Sequence, residues 1–280
     1  MDYHDVLRAR LDALRAVILE EQPDAHVVSM VDTGALVDRA VAQRAGVAWI
    51  GKNAMAITPD WGSWVYIGEL ITDIPFPPDV PLEDACGSCT RCIDACPTDA
   101  LLGDRQLDGS RCISAVTQVK GIVADEMKRK LGARLYGCDT CQVVCPHNVG
   151  VHATHHAEFL PEPDRVRPQL LSLFGMTNRE AKAQFGAAAW RGAAVLLRNA
   201  IIALGNARAK ECIDVLHDVL MHDARPVMRE TAAWALGRMQ TLQARAMLSD
   251  CASQERDLVV QEAIRRALDV LDRDVTHMQQ

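Results

Sequence analysis

The chain has 280 residues, a net charge of −7 and 49% hydrophobic residues, with only 4% aromatic. An acidic total excludes a protein that coats nucleic acid through bulk charge, and no apolar run has the length of a secretory segment or a membrane span. Apolar residues of this kind, rich in Ala, build helical cores.

Residues 4–21 predict an amphipathic helix with Leu7, Leu11, Leu14 and Ile18 on one face, stopped by Pro23. His26 to Val31 reads as a buried strand. It leads through Asp32-Thr33-Gly34 into a second helix that ends near Ala45, with Gly46 as the stop. The stretch from Gly46 to Ile57 holds a short Gly-bearing loop with Trp49, Gly51, Lys52 and Asn53. Pro59 to Gly62 is a turn, Ser63 to Asp73 reads as a strand, and Pro75 to Pro81 as a stiff linker. This front part is thin for an independent domain.

Eight of the ten cysteines follow within residues 86–145. Cys86, Cys89, Cys92 and Cys96 precede Pro97 in the CxxCxxCxxxCP spacing of bacterial ferredoxins. Cys112, Cys138, Cys141 and Cys145 precede Pro146 in the same order, with a long insertion after the first. Thiolates so spaced hold iron–sulfur clusters, and in two-cluster proteins the fourth Cys of each run serves the other cluster. One cluster is thereby assigned to Cys86, Cys89, Cys92 and Cys145, the other to Cys112, Cys138, Cys141 and Cys96. Zinc needs no third Cys at this spacing and no CP twice over. Disulfides suit small secreted domains, whereas cluster thiols call for a reducing, cytoplasmic setting.

The insertion contains a short helix ending near Gly132, expected to shield a cluster from water. His147, His152, His155 and His156 read as a solvated linker rather than a metal site. Beyond Phe174 the chain is helical, with an internal repeat of 32 residues aligning Leu197–Gly205, Arg229–Gly237 and Gln261–Asp269. A period near this length with paired helices is the pattern of HEAT-like solenoids, whose units stack because none buries its apolar face alone. Cys212 and Cys251 in this region are expected to be small buried apolar residues. From Pro163 onward there are 16 Lys and Arg against 14 Asp and Glu, and before it 14 against 23. The tail therefore permits RNA contact. The fold class is α+β. Its parts are a partial α/β domain over 1–81, a two-cluster ferredoxin-like domain over 82–150, a linker over 151–173 and HEAT-like helices over 174–280.

Three features beyond the cysteines carry possible chemistry. Asp32, between a strand and a helix, reads as an N-cap or as a general acid. The loop around Lys52 and Asn53 suits a polar cofactor or is a plain turn. Trp61 and Trp64 are expected in the core, or flank a flat ring.

The block VDTGALVDRAVAQRAGVAWIGKN…WGSWVYIGELITD, then CGSCTRCIDACPTDAL, RCISAVT and YGCDTCQVVCPHN, resembles the epoxyqueuosine reductases. The resemblance is dense over about residues 2–150 and looser over the helical tail. It implies a cytoplasmic, cobalamin-dependent oxidoreductase with two 4Fe–4S clusters, acting in queuosine biosynthesis on tRNA. Asp32 falls where the family has its proton donor, and such an acid is expected to be shielded from water. Corrinoid contacts are implied for Asp32, Lys52, Asn53, Ala56, Ser63, Trp64 and Ser114. The implied partners are a tRNA anticodon stem-loop, gripped by the solenoid, and a low-potential donor such as ferredoxin or flavodoxin, with no membrane and a monomeric state. The family carries a further N-terminal segment before the motif that begins here at Asp2-Tyr3-His4, so the front domain is expected to be partial. On the residues alone, an electron carrier with a helical docking domain and a different cobalamin and iron–sulfur reductase remain open.

Overall fold

The structure, a computed structural model, describes residues 1–160 and 162–278. In chain order the elements are α1 (Tyr3–Glu21), β1 (Val27–Met30), α2 (Asp38–Arg44), β2 (Trp49–Ile50), β3 (Ala56–Ile57) and β4 (Glu69–Thr72). Through the cysteine region run α3 (Arg91–Asp94), β5 (Leu101–Gly103), β6 (Gln106–Leu107), α4 (Ile113–Val116), α5 (Asp125–Leu131) and α6 (Thr140–Val143). The remainder is α7 (Pro163–Val166), α8 (Asn178–Phe185), α9 (Ala193–Ala207), α10 (Ile213–His222), α11 (Pro226–Gly237), α12 (Leu242–Ala252) and α13 (Leu258–Met278). Among the described residues no single helix is long and apolar enough to cross a membrane.

The chain divides into two compact units that do not follow sequence order. The first takes Met1–Gly109 and Asp139–Glu162, and the second takes Ser110–Cys138 and Pro163–Gln280.

In the first unit α1 is capped by Asp2, whose carboxylate accepts the His4 N–H at 3.0 Å. Of the predicted stripe, Leu11 is buried, Leu7 and Ile18 are half-buried, and Leu14 is exposed. The strand expected over Ser63–Asp73 shrinks to β4, because β1 offers antiparallel partners only from Val27↔Thr72 to Met30↔Glu69. Ser63 is drawn away instead, its N–H donating to Asn148 Oδ1 at 2.7 Å and its hydroxyl to Gln142 Oε1 at 2.9 Å. The strand over His26–Val31 is also only partly buried: Val27 is covered and Val28 exposed, the alternation of a sheet with one open face. β2 pairs with β3 in a second two-stranded sheet and β5 with β6 in a third. The first unit's apolar clusters are small, Ala42 with Ala48 and Ala56, and Trp49 with Ile57 and Cys145. Trp61 and Trp64, expected in the core, are 40% and 45% exposed. The histidines after Pro146 are not a freely solvated linker. His147 reaches the Ala85 carbonyl at 3.1 Å, and His156 lies 3.2 Å from the Arg10 guanidinium on α1.

The second unit holds the large core. α9, α11 and α13 carry the three predicted repeats, and Ile201, Ile202, Leu236 and Ile264 lie at their buried centre. The repeat's terminal glycine has a steric purpose. A Cβ on Gly205 would sit 3.0 Å from Ala235 Cα, and one on Gly237 would sit 2.9 Å from Ala267 Cα. Each helix thus approaches an alanine 30 positions ahead, one repeat on, as closely as a missing side chain allows. The third copy has Asp269 in the glycine's place, paired with Arg265 at 2.9 Å, a polar stop suited to a terminal repeat. Cys212 and Cys251 are buried among these helices, as expected.

The insertion after Cys112 packs into this same core. On α5, fully buried Lys128 donates to Glu230 Oε1 on α11 at 2.6 Å. Buried Arg198 on α9 donates to the carbonyls of Val116, Val119 and Gly121 at 2.6–3.2 Å. Asn199 donates to those of Thr117 and Leu135, and Asn206 to those of Lys128 and Gly132. Loop carbonyls that no sheet satisfies are met by side chains of the first repeat.

Candidate functional site

Cys86, Cys89, Cys92 and Cys145 line one pocket of the first unit, together with Lys52, Asn53, Ile57 and His147. Three of these thiols come from the turn that runs into α3, and the fourth is the residue before Pro146. This is the crossed ligand set that the spacing assigns to one cluster. Among the described residues no three His, Cys, Asp or Glu side chains converge closely enough to hold a single ion. Four thiols around one pocket are the ligand number of a 4Fe–4S cluster.

The pocket's chemistry suits a cluster. Burial pushes the Cys92 and Cys145 thiols up, aided by the neighbouring cysteines, so iron must displace protons to bind. Lys52 is neither solvated nor free: its ammonium donates to the Gly87 carbonyl at 2.6 Å and the Cys89 carbonyl at 3.0 Å. It fixes the loop between the first two ligands. The Cys86 N–H donates to Asp84, which pairs with Arg105, and Arg105 donates to the Ile50 carbonyl at 2.8 Å. Asn53 is 4% exposed, and its Nδ2 is buried with no partner. A buried donor without an acceptor costs about 1–3 kcal/mol, so the pocket is built around an acceptor, which the sulfur atoms of a cluster would be.

Of the second predicted set, Cys96 and Cys141 belong to the first unit, and Cys112 and Cys138 to the second. Burial works against ionisation at Cys96. The backbone and hydroxyl of Thr98 and the N–H groups of Ala100 and Leu101 outweigh it and hold the thiol below its ordinary range. In the second unit Gly137 N–H donates to Thr117 Oγ1 at 2.9 Å. That bond ties the residue before Cys138 to the turn after Cys112. Sequence reasoning missed the Arg198-Asn199 pair behind this arrangement. Its only signal was a polar dipeptide inside an apolar repeat helix.

Asp32 is not a helix cap, since Val37 occupies that position before α2. It has φ 53°, a left-handed conformation costly for a side-chain-bearing residue. Tyr3 donates its phenolic proton to Asp32 Oδ2 at 2.6 Å, and His4 Nε2 lies 3.5 Å from the same oxygen. Contrary to the expectation of a shielded acid, the Asp32 side chain is 60% exposed. Tyr3 stacks on Tyr66 at 4.3 Å with ring planes 8° apart. From sequence Tyr3 and His4 stand out only as part of the opening motif and not as partners of Asp32, because residues 29 and 28 positions before the acid carry no local sign of proximity.

The remaining predicted contacts are dispersed. Ala56 is buried with Ala42 and Ala48, Ser63 is held by Asn148 and Gln142, and Trp64 is exposed. Ser114 belongs to the second unit.

Comparison with known proteins bears on this arrangement. Residues 85–148 match the 4Fe-4S double cluster binding domain, and residues 192–269 match HEAT repeats. The epoxyqueuosine reductase of Bacillus anthracis is 48% identical over 96% of this chain and 72% of its own length. That of Bacillus subtilis is 47% identical over 96% of this chain and 70% of its own.

The chain belongs to the epoxyqueuosine reductase family.

Solved structures of epoxyqueuosine reductases agree. One crystallised with an epoxyqueuosine-modified tRNA-Tyr stem loop has TM-score 0.92 and 47% identity, covering 97% of this chain and 72% of that one. A Bacillus subtilis epoxyqueuosine reductase, solved with a catalytic aspartate loop swung out of the active site, has TM-score 0.92 and 46% identity over 96% of this chain and 72% of that one. The chain is thus an oxidoreductase of this family, and it carries the double 4Fe–4S domain.

Proposed function

We propose that the chain reduces epoxyqueuosine to queuosine at the wobble position of tRNA, with Asp32 as the proton donor. The observation that carries the reading is the Asp32 carboxyl, held in a left-handed turn between Tyr3 and His4 and open on one side. Two electrons and two protons convert the epoxide to an alkene and water. Clusters held by the eight predicted thiols would supply the electrons one at a time. The epoxide oxygen gains negative charge as its C–O bonds break, and a positioned acid lowers that barrier by giving it a proton. Tyr3 and His4 orient the carboxyl.

The corrinoid implied by the family resemblance is a flat, bulky group. Tyr66, stacked on Tyr3 and 58% exposed, offers it an open aromatic face beside the acid. Lys52 and Asn53, expected as corrinoid contacts, line the thiol pocket. Bound beside the acid, the corrinoid would supply a strongly reducing, nucleophilic metal centre. The helical repeats would hold the anticodon stem-loop, in keeping with their mildly basic balance.

Asp32→Asn keeps the side chain's size and removes the acid. Both clusters should load as in the parent chain, while turnover of epoxyqueuosine tRNA drops about 10²–10⁴-fold. Undiminished turnover in the fully loaded variant would end the assignment.

A further inference from the structure

We infer that the side-chain amide of Asn53 donates an N–H···S hydrogen bond to the cluster held by Cys86, Cys89, Cys92 and Cys145, and so raises that cluster's reduction potential. The inference rests on the assignment of those four thiols to one cluster. It gives Asn53 a place beside the iron–sulfur centre rather than the corrinoid.

The amide's orientation is settled by its other end. Asn53 Oδ1 accepts the Met55 N–H at 3.2 Å. A backbone N–H can only meet the oxygen, so Nδ2 is turned the other way. There it is buried and unpartnered, in a pocket whose other walls include the four thiols. Every other feature of the loop serves this placement. Gly51 lacks the Cβ that would come within 2.8 Å of Asn53 Oδ1 and 2.5 Å of Ile57 Cδ1. Ala54 adopts φ 61°, and its N–H closes onto the Gly51 carbonyl at 2.9 Å. The loop tolerates a left-handed residue and a close approach, and both bring the amide to the thiols. Lys52, next in the chain, places a positive charge on the carbonyls of Gly87 and Cys89. Trp49 packs with Cys145 and Cys86, and its indole N–H is likewise buried without a partner.

A cluster with four thiolates gains one negative charge on reduction. Donors and cations that face its sulfur atoms stabilise the more negative state more strongly, so they raise the potential. Removing one of them makes the cluster harder to reduce.

The test uses the full chain, reconstituted anaerobically with iron and sulfide and titrated by electron paramagnetic resonance. Asn53→Leu removes the donor at similar volume. It should keep eight irons per chain, as two 4Fe–4S clusters require, and lower one of the two midpoint potentials. A tenfold loss in that cluster's reduction equilibrium is about 59 mV for a one-electron couple. The second potential should stay in place, and Asn53→Gln should recover part of the loss. Two unchanged potentials with eight irons would overturn the inference, as would a corrinoid-binding defect with both potentials intact. If the Leu variant holds only four irons, Asn53→Gln decides. Eight irons there support a donor, and four indicate that the residue only packs the loop. Cys92→Ala checks the underlying assignment separately: it should halve the iron content, and full iron in that variant would remove the cluster from this pocket.

Discussion

The two units of the chain are stabilised in opposite ways. The second is a stack of helices with one large apolar core, in which each repeat touches the next through a glycine laid against an alanine. The first has short strands, short helices and apolar clusters of a few residues, and its loops are held by individual hydrogen bonds and the thiol pocket. The first kind of order is built from area removed from water. The second depends on specific partners, of which the metal is one. The proposed acid, Asp32, and the thiol pocket both belong to the unit whose apolar clusters are small.

Removing iron should break the symmetry of stability most. Chelation of the reduced, loaded chain should open the first unit to protease within residues 82–109 and 139–150, while the helical circular dichroism of the second unit persists. Equal cleavage across both units would show that the large core also depends on the clusters. The next largest effect is expected at the buried Lys128–Glu230 pair. Lys128→Met removes the 2.6 Å partner of buried Glu230 and leaves it the Thr231 hydroxyl at 3.3 Å and Arg266 at 3.7 Å. It should destabilise the second unit by about 3–5 kcal/mol in urea unfolding, and pairing it with Glu230→Leu should recover most of the loss. A single mutant as stable as the parent would mean the pair contributes nothing to the core.

Gly237→Ala sharpens the argument about repeats. Alanine favours a helix over glycine by about 1 kcal/mol, but here its Cβ meets the Ala267 backbone. Overpacking of this kind costs about 1–3 kcal/mol, so the variant should be less stable than the parent, and a rise in Tm would refute the close-packing account. The smallest effect is a pH dependence at the Arg229–Glu255 pair, 2.7 Å apart and nearly buried. The hydrogen bond from Arg229 holds the Glu255 carboxyl below its ordinary value of 4.5. A carboxyl depressed on folding contributes stability above its unfolded value and loses it as pH falls through the folded one. Unfolding midpoints should therefore drop below about pH 4.5, and Glu255→Gln should flatten that part of the curve.

Much of this was legible in the sequence. The crossed ligand set of the first cluster, the turn at Gly62 and the helix end at Gly132 follow from spacing and from residues suited to positive φ. The three repeat helices follow from period alone. The long strand over Ser63–Asp73 was misread because β-propensity is silent on whether a partner exists. Trp61 and Trp64 were misplaced because aromatic size argues for a core, whereas here they lie on an open surface.

Spacing within a turn and period along a helix are short-range properties, so the sequence by itself determined the double-cluster domain, the repeats and the family. Contacts between residues far apart in the chain depend on how loops close, and no local pattern encodes them. Only the tertiary structure decided that the cysteine insertion joins the helical unit through Arg198, that Tyr3 and His4 meet Asp32, and that Lys52 and Asn53 turn toward the thiols. Each is a buried or half-buried polar group seeking a partner. Which partner it finds is settled by the loops that surround it.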